Sequence, residues 1–302
     1  MRTDVEFPSA DGTRTLRGTA HVPDDADGPV PAVVVSPGFG DVVARLNPVV
    51  DALLAAGLGV LAYDHGTFGL SDGLPRQEVD PVAQHRDLRM AVTAVRHQDG
   101  LDPERIGLWG ISFSGAHVLT AAAWDRRVKA VVSQVPWISG RENVLRMGGE
   151  EALATFGALL DQERDSLVDG AAPSRVTIAR RTDDDSPGFA LFSDDGSAAY
   201  FARGLAGVPV PWENTVTVRS IAHAQEYDVR PLAPLVGPTP LLMVVARHDT
   251  AMPADLAIGF QDAAPEPKEL VVVDGGHYDL YPAGDAFDQA MDVTTRWFTK
   301  HL

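Results

Sequence analysis

The clearest chemical signal in the chain is Leu108-Trp109-Gly110-Ile111-Ser112-Phe113-Ser114-Gly115. A short apolar run ends at a serine, and a stretch of small residues follows. Where a buried strand turns sharply into a helix at such a serine, the hydroxyl is lifted above the sheet as a nucleophile elbow. The turn crowds strand and helix together, so the positions two before and two after the serine must be small. Gly110 meets the first demand. Ser114 stands at the second where glycine is usual, with Gly115 one residue further on.

A serine hydroxyl is a weak nucleophile at its free pKa, so it needs a basic partner that is itself held by an acid. On a strand-to-helix elbow of this kind the expected chain order is serine, acid, histidine, each just past the carboxyl end of a strand. The run Leu241 to Ala246 leads into Arg247-His248-Asp249 and offers Asp249. The run Leu270 to Asp274 leads into Gly275-Gly276-His277 and offers His277. Rivals fit less well. His117 falls in the helix after the serine and reads as structural. His248 adjoins the proposed acid, and one turn cannot easily aim both side chains inward. His21, His85, His97, His223 and His301 lack a strand-end setting. Asp274 and Asp279 lie too near His277 in sequence, and Asp64 reads as a loop anchor.

Acyl chemistry also needs donors for the developing oxyanion, each worth about 100- to 1000-fold in rate. One is expected from the backbone N–H of Phe113, which follows the serine. The other is expected from the loop Ser36-Pro37-Gly38-Phe39-Gly40. Pro37 has no N–H to give, which leaves the N–H of Phe39. Trp137, Tyr278 and His65 are the side chains expected to line a substrate pocket.

The elements that must position these groups alternate. Val30 to Ser36, Gly59 to Asp64, Ile106 to Gly110 and Val128 to Val135 are near-continuous apolar runs, as are Leu241 to Ala246 and Leu270 to Asp274. Such runs fit strands buried on both faces of a parallel sheet. Helical segments are expected over Leu46 to Ala56, Val82 to His97, Ser114 to Trp124 and Ala283 to His301. Gly57 suits a helix stop and Pro81 a helix start. Together they predict an α/β core with a mostly parallel sheet. Arg14 to Val22 alternates instead and is expected as an antiparallel strand at the sheet's edge.

The rhythm breaks between Ser139 and Pro240. This stretch holds a helical piece, Gly149 to Asp165, and Gly-, Asp- and Pro-rich sequence over Thr182 to Gly188. It is too long for a plain loop. The expectation is a core of residues 1–138 and 240–302 with an inserted cap over 139–239. Trp137, Phe156, Phe189, Phe192, Tyr200, Phe201 and Trp212 would supply its apolar surface, most of them packing the cap itself.

Composition narrows the function classes. With 25 Lys and Arg against 42 Asp and Glu, the 302 residues carry a net charge of −17. Such a surface repels nucleic acid and anionic lipid. There is no Cys, so disulfides, thiol catalysis and thiolate metal sites are excluded, and no H-E-x-x-H pair suggests a metal. The N-terminus turns charged at once, and no apolar run approaches the length of a membrane span. A soluble, cytoplasmic protein without metal is expected, with its oligomeric state open.

The motifs resemble the α/β-hydrolase superfamily, specifically its dienelactone-hydrolase-like branch, which includes many bacterial polyketide-pathway enzymes. The resemblance is carried by Ser36 to Gly40, Tyr63 to Gly73, Pro75-Arg76-Gln77, Trp109 to Gly115, His248-Asp249-Thr250 and Gly276 to Tyr281. It covers most of the chain outside the cap. It implies an eight-stranded sheet, a triad of Ser112, Asp249 and His277, and no cofactor. Many members have His-Gly where this chain has Pro37-Gly38, and members with a cysteine nucleophile are not matched.

Three functions follow as expectations. The first is hydrolysis of an ester or related acyl bond in an apolar small molecule. The second is elimination or rearrangement of a polyketide-like intermediate, such as loss of an acyloxy group, with His277 as the base. The third is a non-catalytic ligand binder, against which the intact set of three residues argues.

Overall fold

In the computed structural model, which describes residues 1–180, 189–202 and 210–302, each long apolar run forms a strand. The order is β1 (Arg2–Pro8), β2 (Thr15–His21), β3 (Val30–Ser36), α1 (Asn47–Ala55), β4 (Gly59–Tyr63), α2 (Pro81–Val95), β5 (Leu101–Ile111), α3 (Phe113–Trp124) and β6 (Val128–Gln134). There follow α4 (Gly140–Val168), β7 (Arg175–Ala179), β8 (Ala190–Phe192), α5 (Asp195–Ala202), β9 (Thr215–Thr217), α6 (Arg219–Glu226) and α7 (Ala233–Val236). The chain closes with β10 (Leu241–Ala246), α8 (Ala254–Ala263), β11 (Lys268–Val273) and α9 (Asp285–His301).

Eight strands form one sheet in the order β1-β2-β4-β3-β5-β6-β10-β11. The pairs β1–β2 and β2–β4 are antiparallel, and every pair beyond them is parallel. Every residue of β4 and β10 is buried, as strands covered by helices on both faces must be. One correction concerns the edge. The alternating strand β2 lies inside it, because β1 pairs along its whole length from Arg2↔His21 to Pro8↔Thr15. Only Val5 and Phe7 of β1 are buried, a two-residue pattern too short to announce a strand.

Helices α1 and α9 pack on each other and on the sheet, while α2, α3, α7 and α8 form a second layer. Helix α2 starts where Pro81 fits its first turn, with the Asp80 carboxylate accepting from the N–H groups of Val82 (2.9 Å) and Ala83 (3.1 Å). This satisfies donors that have no partner inside the helix.

Between β6 and β10 the chain builds a separate three-stranded sheet, β8-β7-β9. The helix expected from Gly149 begins earlier, at Gly140, and breaks at Gly149 itself (φ 66°, ψ −164°). The stretch 182–188 lies outside the described residues. Trp137, Phe156, Phe192, Tyr200 and Phe201 are buried, whereas Phe189 is exposed. No described helix is long and apolar enough to cross a membrane.

Phe298 of α9 shows how tightly core and sheet interlock. It is fully buried, and a Cβ on Gly107 of β5 would stand 2.6 Å from its ring. Phe298→Ala empties a space that neither element can close, so urea denaturation should show a loss of about 3–5 kcal/mol.

Candidate active site

Strand β5 ends at Ile111 and α3 starts at Phe113, which leaves a single residue, Ser112, for the turn. Its backbone is forced to φ 54°, ψ −117°, a conformation unfavourable for any residue with a Cβ. The chain holds it there on both sides. The Ser112 N–H donates to the Gln134 carbonyl (2.8 Å), and the Ser112 carbonyl accepts from the N–H groups of Gly115 and Trp137 (2.9 Å each). Gly110 cannot carry a side chain, because its Cβ would stand 2.2 Å from the Ser114 carbonyl oxygen.

Ser114 takes the place of the usual glycine and puts its hydroxyl to use. It donates to the Pro37 carbonyl and lies 3.0 Å from Ser36 Oγ and 3.2 Å from His65 Nε2. The elbow is thereby tied to the loop that carries Phe39.

His277 follows β11 and opens a short 3-10 turn, His277–Leu280. Its Nδ1 is 2.8 Å from Asp249 Oδ2, and its Nε2 is 3.1 Å from Ser112 Oγ. Asp249 is itself anchored: its Oδ1 accepts from the N–H groups of Ala251 (2.9 Å) and Met252 (2.6 Å). With the carboxylate drawing the Nδ1 proton, the network assigns the tautomer whose Nε2 lone pair faces the serine hydroxyl. Both side chains are buried, so little water competes for these bonds. The structure thus brings Ser112, His277 and Asp249 together.

The remaining expected site residues divide. Phe113 heads α3, so its N–H has no partner within the helix. A Cβ on Gly38, just before Phe39, would stand 3.5 Å from Ser112 Cβ, so the loop borders the serine. Trp137 and Phe39 line an apolar groove with Val144, Leu191 and Phe192. This groove adjoins a cavity of about 320 Å3 bounded by Met147, Phe156, Phe189 and Thr250. Tyr278 is not among the groove residues; its ring meets His277 edge-on (4.9 Å between centroids) and stacks on Tyr200 (5.4 Å).

His65 is a correction. Instead of lining a pocket it lies 1% exposed beneath the elbow, bonded to Ser36 and Ser114. Burial lowers its pKa to about 3, so it is a neutral bracket for two loops. His117 is likewise buried, between Gln84 (3.1 Å) and the Tyr227 hydroxyl (3.1 Å), with burial holding it well below its ordinary pKa. Asp64 accepts from the N–H groups of Val43 and Leu70 (2.9 Å each), and His248 is exposed beside Asp274.

Sequence reasoning missed three groups. Gln134 ends β6; its backbone holds Ser112, and its Nε2 donates to the Leu280 carbonyl at 2.7 Å. Tyr281 stands four residues after His277, and the intervening 3-10 turn brings its ring back beside the imidazole (5.5 Å). That spacing was the available signal. Asp41 is buried behind the Phe39 loop, paired with Arg45 (2.9 Å) and accepting from the Tyr200 hydroxyl of α5 (2.6 Å). Burial pushes its carboxyl up to about 6 despite Arg45. Trp212 Nε1 also donates to the Gly40 carbonyl (2.8 Å), and Gly40 adopts φ 64°, a left-handed conformation that favours glycine. The segment between β6 and β10 therefore sits directly on this loop.

Gln134→Ala leaves the backbone bond to Ser112 but frees the turn that carries His277. A misplacement of about 1 Å at a reacting group costs roughly 100-fold, so kcat should fall by that order while the fold, followed by circular dichroism, is retained.

The family profile described as the alpha/beta hydrolase fold matches residues 31–283. The thiohydrolase aneE of Aspergillus aculeatus is 31% identical over 311 residues, covering 98% of this chain and 92% of that protein. The polyketide transferase grgF of Penicillium sp. is 30% identical over 280 residues, covering 92% and 90%. The crystal structure of GrgF aligns with a TM-score of 0.82 at 29% identity, over 100% of this chain and 99% of that one. The structure of DcsB in complex with its substrate analogue aligns with a TM-score of 0.86 at 27% identity, over the whole of both chains. With the elbow, the sheet order and relatives that match nearly end to end in agreement, the chain belongs to the α/β-hydrolase family.

Proposed function

We propose that this enzyme is a serine hydrolase that cleaves an ester or thioester of an apolar acyl group through a covalent intermediate on Ser112. The observation that carries the reading is the unbroken contact from Ser112 Oγ through the imidazole of His277 to Asp249, at 3.1 and 2.8 Å. Ser112 Oγ attacks the acyl carbon as its proton passes to His277 Nε2. The carbonyl π pair becomes an oxyanion facing the N–H groups of Phe39 and Phe113. Collapse expels the thiolate or alkoxide, which takes the proton from His277, and water repeats the sequence to free the acid.

The substrate class draws on two supports. The groove beside Phe39 and Trp137 is apolar, which suits the acyl portion. A relative named as a thiohydrolase supports an acyl group carried on sulfur, and one named as a polyketide transferase supports a polyketide acyl group. In this reading residues 1–138 and 240–302 form the catalytic core, and 139–239 act as the lid that bounds the groove. Elimination by His277 gains no support from the contacts, because Nε2 already faces the serine hydroxyl. A binder would have no use for an imidazole held between a hydroxyl and a carboxylate.

Turnover of an acyl N-acetylcysteamine thioester and of a p-nitrophenyl ester tests the proposal. Ser112→Ala should lower kcat on the order of a millionfold if the three groups act as a unit. Equal rates for the variant and the unaltered enzyme would sink it.

A further inference from the structure

The loop that borders Ser112 has an unusual deficit. Pro37 offers no N–H, so the backbone there supplies fewer donors than a loop with any other residue at that position. A side-chain hydroxyl stands beside the same loop. The Tyr281 hydroxyl lies 3.0 Å from the point a Cβ on Gly38 would occupy, and that same point lies 3.5 Å from Ser112 Cβ. The Tyr281 hydroxyl therefore stands beside the oxyanion loop and close to the serine whose hydroxyl faces His277 Nε2 at 3.1 Å.

The geometry points to Tyr281 as a catalytic residue, whose hydroxyl, standing beside Gly38 and Ser112, turns to the substrate oxyanion and acts as a side-chain donor beside the N–H groups of Phe39 and Phe113. This deepens the serine-hydrolase reading and rests on it. As Ser112 Oγ bonds the acyl carbon, it gives up its own proton to His277. The Tyr281 O–H is then free to turn toward the negative oxygen forming next to Gly38. It keeps its proton throughout, so the proton balance of the triad is unchanged.

The surroundings hold the group ready. The ring is fixed by Tyr200 (4.6 Å), Tyr278 (5.0 Å) and His277 (5.5 Å) and is buried. Burial, with the carboxylates of Asp41 and Asp249 adding to it, raises its pKa above the ordinary value for a phenol. Tyr281 thus stays a neutral donor near neutral pH. A preorganised donor in a buried site acts far more strongly than one in water.

Tyr281→Phe keeps the ring and removes only the hydroxyl. On the thioester substrate kcat should fall about 100-fold, the usual effect of losing one oxyanion donor, with little change in KM. Affinity for a trifluoromethyl ketone of the same acyl chain, which forms the tetrahedral adduct on serine, should fall by a similar factor. A kcat within about threefold of the unaltered enzyme, or an unchanged ketone affinity, would overturn the assignment. If Tyr281→Phe does not fold, 3,5-difluorotyrosine at position 281 replaces it. Its more acidic hydroxyl faces the same Asp41, Asp249, His277, Tyr200 and Tyr278. A donor role predicts that kcat differs from that of the unaltered enzyme, raised while the more acidic hydroxyl keeps its proton and lost once it ionises, and an unchanged kcat across the pH range would refute it. Ser112→Ala assayed in parallel separates the two claims: if it retains turnover, the nucleophile reading fails whatever the tyrosine does.

Discussion

The backbone of Ser112 is the constraint on which the rest of the site depends. At φ 54°, ψ −117° the residue sits in a region that costs of order 1–3 kcal/mol. It stays there because β5 and α3 leave no other path, and because Gln134, Gly115 and Trp137 bond both of its peptide groups. The strain places the hydroxyl beyond the end of the sheet and leaves the following N–H without a helical partner. A relaxed turn would do neither.

The histidine and the acid reach that hydroxyl through the same central strands. Strand β6 lies between β5 and β10, and β11 follows, so the serine, Asp249 and His277 leave the sheet from nearby positions. Gln134 binds the serine turn with its backbone and the histidine turn with its side chain. On the other side, Ser114 and His65 brace the loop of Phe39 from below, and the inserted segment holds Gly40 and Asp41 from above. The loop beside the serine is therefore held from both sides, by the strands and helix around Ser112 and by the segment between β6 and β10.

Much of this was legible in the residues. Strands buried on both faces read as apolar runs, and β3 and β10 begin and end where the runs do. Ser112, Asp249 and His277 stood out because each follows such a run in a defined order. What escaped depends on contacts between distant segments. Strand β1 exists by pairing with β2, which a single buried Val and Phe do not reveal. His65 follows a strand end just as His277 does, yet the chain turns it under the elbow instead of toward the serine. Gln134 carries its meaning in both backbone and side chain, and only the fold brings Leu280 within its reach. Helix α4 offered Gly149 as a start, whereas the structure uses it as a break.

Mass spectrometry of the protein after treatment with a fluorophosphonate tests most directly whether strain and imidazole together arm one alcohol. The account predicts a single adduct on residue 112, and none when His277 is replaced by alanine in a folded sample. An adduct at another hydroxyl, or equal modification without the imidazole, would contradict it.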